Sequence, residues 1–379
     1  MRTTRHRGLA GLIGTGVLAT GLALTTAGTA VAADDTGAGD IAVTQTNLVS
    51  NQPGQAPLLD PTLKNPWGMS FGTGATPTPL WVSENGSDAS TLYRNNATPP
   101  PPLSKLGLTV AVPVQPTGQV FNPTSDFVVS VGAASGSARF IFATESGSIL
   151  GWNPNVPAPG STDATPAAHV NNAVYKGLAL ASAKGKNFLY AANFHSGRVD
   201  VFDSSFMLQN WHGAFRDRHI PRGYAPFNVQ LLNGDLYVTY AKQQPNKVDD
   251  AAGAGHGFVD IFSTSGHLER RLVKKGALNS PWGLAIAPSS WGNLAGALLV
   301  GNFGDGRINA YGAKSGRFMG PLRDAAHQAI AIDGLWGLLP GNGVAGDPQA
   351  VLFSAGPNEE ADGLLGALTS AAAGGDNDD

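Results

Sequence analysis

One turn-and-strand signature recurs through this chain at nearly constant spacing, and few folds tolerate such a pattern. Pro66-Trp67-Gly68-Met69 returns as Pro281-Trp282-Gly283-Leu284. Weaker copies stand at Pro116-Thr117-Gly118-Gln119, Tyr175-Lys176-Gly177-Leu178, Pro226-Phe227-Asn228-Val229 and Leu335-Trp336-Gly337-Leu338. The third residues fall at 68, 118, 177, 228, 283 and 337, at intervals of 50, 59, 51, 55 and 54. Self-similarity at a period of this size marks a repeat architecture in which each unit buries its faces against its neighbours.

Each anchor is followed by a short aromatic and β-branched run. Leu80-Trp81-Val82-Ser83, Ile141-Phe142-Ala143-Thr144 and Leu236-Tyr237-Val238-Thr239 are examples. Such runs suit strands buried on both faces. A third, alternating run follows, as in Gly197-Arg198-Val199-Asp200-Val201-Phe202 and Gly257-Phe258-Val259-Asp260-Ile261-Phe262. A weaker fourth is legible at Phe206–Trp211 and His267–Leu272. Small antiparallel sheets repeated about every 54 residues predict an all-β chain folded as a six-bladed β-propeller. A pair of β-sandwiches is the competing fold and leaves the period unexplained. With 50 Gly and 26 Pro among 379 residues, a helix bundle or coiled coil is excluded. The ring needs closing, because an open sheet edge is a liability. The last unit lacks an outer strand, and the alternating segment Ala42–Val49 has no unit of its own; it is expected to complete the last blade.

The first 33 residues read as a secretory signal: basic Arg2, Arg5 and Arg7, an uncharged stretch from Gly8 to Ala27, then small residues at Ala30, Ala32 and Ala33. A retained membrane anchor is the other reading of that stretch. The expected division is a signal at 1–33, the propeller at 34–368 and a disordered acidic tail at 369–379. The chain has no Cys, so it makes no disulfide, Cys-type zinc site or thiol nucleophile. A net charge of −3 argues against a nucleic-acid partner. No later segment is long and apolar enough to span a membrane.

In a propeller the loop leading into each first strand and the loop joining second to third share one rim. The residues ending the second strands are Glu84, Glu145, Asn193, Tyr240, Asn302 and Ala355. Glu84, Glu145, Asn193 and Asn302 form a candidate ring of oxygen ligands for a hard cation such as Ca²⁺. His195 and Asp305 join these four in the candidate ligand rim. Asn65, Asn85, Asp88, Lys242, Asn279, Asp333, Asn358, Glu359, Glu360 and Asp362 lie in the neighbouring loops. The same residue types are common turn chemistry, since short polar side chains bond the local backbone.

Other signals carry less. Gly68-Met69-Ser70-Phe71-Gly72 matches the serine-hydrolase elbow, but Ser70 lies in a repeated inner strand whose equivalents include Ala179 and Ala285. Gly253-Ala254-Gly255-His256-Gly257 fails the dinucleotide spacing. Lys242–Asp250 reads as a solvated insertion, and Pro99–Pro102 as an extended linker.

The segments NPWG, SPWG, FIFATESGSILGW, YAANFHSGRVDVF, GNFGDGRINAY and AGPNEEADGLLG resemble a family of secreted bacterial propeller proteins of unknown function. The wider superfamily includes NHL-repeat propellers and gluconolactonase-like, calcium-dependent lactonases. The resemblance implies the fold and no activity, because the lactonases' own local motifs are not recognisable here. The reading is an exported, monomeric binding or scaffold module, using a polar rim to meet a small molecule, glycan or protein at the cell surface. Its alternatives are a metal-dependent lactone or ester hydrolase and a purely structural envelope protein.

Overall fold

A computed structural model describes residues 42–72, 77–96 and 103–370. The expected signal, the proline run at 99–102 and residues 371–379 of the expected tail lie outside them. The chain first lays down β1 (Val43–Ser50) and β2 (Leu58–Leu59), then builds six blades in order. Blade one is β3 (Pro66–Ser70), β4 (Leu80–Glu84), β5 (Ala89–Asn95) and β6 (Leu103–Ala111). Blade two starts with β7 (Pro116–Phe121), makes a side hairpin of β8 (Val128–Val131) and β9 (Ala134–Ser137), and continues through β10 (Phe140–Thr144), β11 (Ser148–Trp152) and β12 (Thr165–His169). Blade three is β13 (Tyr175–Ala183), β14 (Lys186–Asn193), β15 (Arg198–Phe202) and β16 (Leu208–Gln209). Blade four is β17 (Tyr224–Leu232), β18 (Asp235–Lys242), β19 (Gly257–Phe262) and β20 (Leu268–Lys274). Blade five is β21 (Pro281–Ile286), β22 (Leu298–Asn302), β23 (Ile308–Tyr311) and β24 (Phe318–Pro321). Blade six holds β25 (Leu335–Pro340), β26 (Val351–Ala355) and β27 (Leu364–Ser370).

Blade six borrows its outer strand from the start of the chain. β1 pairs antiparallel with β27, from Val43 opposite Ser370 to Ser50 opposite Leu364, with a bulge between Asn47 and Val49. The segment expected to close the ring does so, and β27 takes in Thr369 and Ser370, which the sequence reading had assigned to the tail. The side hairpin of blade two accounts for the longest repeat interval, since β8 and β9 are inserted between first and second strands.

The apolar core is divided by the ring. Six clusters lie one at each blade-to-blade interface, and a seventh fills the hub. Because both faces of a blade meet a neighbour, every residue of β4, β10, β22 and β26 is buried. β1 serves two interfaces at once: Val43 packs between blades five and six, Val49 between six and one. The seven Trp side chains go to these interfaces and the hub.

The third residue of each anchor explains the glycine. A Cβ on Gly68 would lie 2.5 Å from Thr117 O of the next blade. On Gly177 it would lie 2.7 Å from Asn228 Cα, on Gly283 2.6 Å from Trp336 O, and on Gly337 2.8 Å from Trp67 O. Gly118 meets Leu178 N and Gly177 in the same way. Inner strands therefore touch backbone to backbone, from each blade to the next and from the sixth back to the first. Blade four alone breaks the rule: Asn228 keeps a side chain, and its Nδ2 donates to Trp282 O at 2.7 Å. Gly118→Ala is expected to destabilise the fold by about 2 kcal/mol or more, because backbone cannot yield to the added methyl. Gly107→Ala, where nothing lies within 4 Å, is expected to change stability by less than about 0.5 kcal/mol. Urea unfolding of the two variants checks the pair.

Candidate ligand-binding channel

Of the second residues of the six anchors, Trp67, Lys176, Phe227, Trp282 and Trp336 come together at the hub, while the Thr117 hydroxyl donates to Ala143 O and Tyr175 O. Trp67 and Trp336 stack with ring centres 3.5 Å apart, and Phe303 stacks on Trp336 at 4.0 Å. Trp282 stands edge-on to both, at 6.2 and 5.8 Å. Lys176 Nζ lies 5.0 Å from the Trp67 ring centre, a cation over an aromatic face. Together these side chains close one end of the central channel.

A polar ladder runs beside this plug. Lys176, only 2% exposed, forms a buried ion pair with Glu145, itself 5% exposed. Asn85 Nδ2 donates to the other Glu145 oxygen at 3.3 Å. Asn65 Nδ2 reaches both Asn85 Oδ1 at 3.2 Å and Glu360 Oε2 at 2.8 Å, while Trp336 Nε1 donates to Asn65 Oδ1 at 3.0 Å. The ladder thus links blades three, two, one and six. Glu360 lies in the turn Asn358-Glu359-Glu360, where all three residues have positive φ, at 55°, 55° and 68°.

Of the six expected rim residues, Glu145 joins this ladder with the expected neighbouring-loop residues Asn65, Asn85 and Glu360, while the other five find partners elsewhere. Glu84 is fully buried and accepts from Thr91 Oγ1 of its own blade. Burial pushes its carboxyl well above the usual range, the Asp60 charge adds to this, and the Thr91 hydroxyl and Lys105 oppose it. Asn193 Nδ2 donates to Asp200 Oδ2 at 2.7 Å. Asn302 Nδ2 donates to Ala277 O at 2.8 Å and Asp305 Oδ1 at 3.1 Å. Asp305 is exposed, and its Oδ1 also receives Arg307 N. His195 is half-buried, and its carbonyl lies 3.5 Å from Gln243 Nε2. Glu145 faces Lys176 of blade three. In blades one and three the second-strand end bonds a third-strand side chain, Glu84 to Thr91 and Asn193 to Asp200. Asn302 and Asn309 of blade five share Ala277 O. A Ca²⁺ site needs about six oxygens around one point. Each of these side chains holds a protein partner, and Glu145 faces an ammonium.

Two buried carboxylate groups escaped the sequence reading. Asp60 accepts from Tyr93 OH at 2.6 Å and pairs with Lys105 at 2.7 Å. Burial would raise its carboxyl, but Lys105, Tyr93 and Thr62 N outweigh this and hold it below its ordinary range. Asp260, on the third strand of blade four like Asp200 on that of blade three, faces Arg271, Asp217 and Tyr240. Burial first, then the Asp217 charge, push Asp260 up to about 7, against the pull of Arg271. The repeated Val-Asp of blades three and four was the available signal.

The other end of the channel is open. A cavity of about 530 Å³ there is walled by the inner strands beyond the anchors, with Phe71, Gln119, Phe121, Leu180, Gln230 and Leu339 among its lining. No Asp, Glu, His, Lys or Arg lines it among the described residues. Ser70 sits in this wall on an inner strand, without the strand-to-helix elbow a nucleophile of that motif needs. The rim residues expected from the sequence do not line this cavity. Repeat alignment shows which residues are equivalent, but not which end of a pore the hub side chains fill.

Removing one partner of a buried ion pair strands the other charge. Lys176→Met is therefore expected to cost about 3 kcal/mol in urea unfolding, with Lys176→Met/Glu145→Leu recovering at least half. Asp260 keeps its proton in the folded chain up to about pH 7 and loses it near the ordinary 3.8 when unfolded. The folded state binds the extra proton between those values, so this group makes stability fall as pH rises from 5 to 8. Asp260→Asn is expected to flatten that slope in denaturation midpoints measured across the range.

No family model matches the chain. It is 35% identical over 337 residues to the uncharacterized protein R648 of Acanthamoeba polyphaga mimivirus, covering 85% of this chain and 78% of that one. It is 33% identical over 335 residues to the uncharacterized protein L690 of the same virus, covering 85% and 84%. A solved structure of a protein of unknown function from Bacteroides thetaiotaomicron matches with a TM-score of 0.52 at 9% identity, over 87% of this chain and 76% of that one, a likeness of fold alone. The resemblance read from the sequence pointed to secreted bacterial proteins, whereas these two relatives are viral. The chain belongs to the family that includes the mimivirus proteins R648 and L690.

Proposed function

We propose that the protein is an exported binding module that takes an uncharged ligand, with apolar faces and a few hydrogen-bonding groups, into the open end of its channel. The observation that carries this reading is the lining. Pockets for small molecules are mostly apolar with a few placed polar groups. The wall here combines Phe71, Phe121, Leu180 and Leu339 with the amides Gln119 and Gln230. An acidic or basic ligand would meet no counter-charge among these residues. Hydrolysis would need a nucleophile, or an acid and base, within reach of the bound group. The lining offers no ionisable pair for that, which favours binding over the hydrolase alternative. Export rests on the signal-like order of residues 1–33, and a neutral glycan or apolar peptide outside the cell is the matching class of ligand.

The test is a thermal-melt screen of the mature chain against neutral oligosaccharides and uncharged peptides. A ligand bound only by the folded state at a hundredfold excess over its Kd adds about 2.7 kcal/mol. Gln230→Trp, which fills the cavity from its wall, is expected to abolish the shift while leaving the circular dichroism spectrum unchanged. An undiminished shift in that variant, or binding confined to charged probes, would overturn the channel as the site.

A further inference from the structure

We propose that the outer edge of blade four, with the loop before β17 and a turn of blade five, is a docking surface for a linear acidic polysaccharide. The outermost strands of the other blades are almost without charge. β2, β16 and β24 carry none, β12 carries only His169, and β6 carries only Lys105, which is paired with Asp60. β20 differs: Leu-Glu-Arg-Arg-Leu-Val-Lys, followed at once by Lys275. Lysine on an edge strand commonly guards against strand pairing, but the other edges offer only Lys105, already paired with Asp60.

The charge extends beyond the strand. Arg271 forms an ion pair with Asp217, which ties β20 to the loop carrying exposed Arg216 and Arg218. On the other side the Arg270 guanidinium donates to the carbonyls of Lys314 and Ala313, which brings the exposed Lys314 of blade five alongside. Asp217 is consumed by Arg271, and Glu269 is the one other acid on these segments. Arg270, Lys274 and Lys275 are all exposed, and at about 3.3 Å per residue they span roughly 16 Å along the edge.

The form of the patch selects the partner. A line of cations on a convex edge matches a chain-like anion better than a planar bilayer. The chain as a whole has 27 acidic and 24 basic residues, so a densely charged duplex reaching past the patch meets repulsion that a sparsely charged glycan escapes. This inference rests on surface charge alone and stands or falls apart from the channel.

The experiment is elution of the mature chain by salt from an immobilised acidic polysaccharide. Lys274→Glu/Lys275→Glu/Arg218→Glu is expected to cut the eluting salt concentration at least twofold. Lys64→Glu/Lys184→Glu/Lys186→Glu, an equal change in charge on exposed lysines of blades one and three, is expected to leave it nearly unchanged. Equal losses in both variants would show that net charge alone governs retention and overturn the site. So would stronger retention by duplex DNA or by phosphatidylserine vesicles than by the polysaccharide.

Discussion

Blade-to-blade contact is the constraint on which this molecule depends. No blade can bury both of its faces alone, so each interface cluster exists only while its two neighbours stay in place. Contact between inner strands is backbone on backbone at the anchor glycines, which leaves little slack for rotation of one blade against another. The ring must then close, and the closure is antiparallel pairing between the first and last strands of the described chain. Asn65 adds a second tie across the same seam, taking a hydrogen bond from Trp336 and giving one to Glu360.

Closure of the ring leaves a pore, and its two ends are treated differently. Large anchor residues fill one end: three tryptophans, Phe227 and the Lys176 ammonium. Burying Lys176 there demands Glu145, and Glu145 in turn engages Asn85. The plug is thus polar at its margin and aromatic at its centre. Beyond the anchors the inner-strand side chains no longer meet, and the cavity opens between them. The stopper and the cavity wall are neighbouring positions on the same inner strands, and Trp282 belongs to both.

The fold was legible in detail because it is periodic. Anchor, second strand and third strand recur, and each recurrence reports one local environment. Even the 59-residue interval had a local cause in the β8–β9 hairpin. The candidate rim was legible only as a set of equivalent positions. Glu84 and Asn193 each bond a third-strand side chain of their own blade, a structural role repeated per unit, and Asn302 instead shares the Ala277 carbonyl with third-strand Asn309. Glu145 departs from that role because its neighbour across the interface is a lysine where other blades carry tryptophan, phenylalanine or threonine. Asp260 was missed because its partners, Arg271 and Asp217, come from segments whose proximity no spacing announces.

Sequence alone determined the number of blades, the strand order within each and the segment that shuts the ring, since these follow from periodicity and from an unpaired edge that must be satisfied. Tertiary structure decided where charge and space end up. Which carboxylate meets an ammonium, which stays protonated, and which end of the pore remains open all depend on distances across blades. Those distances are set by ring curvature, which no single repeat encodes.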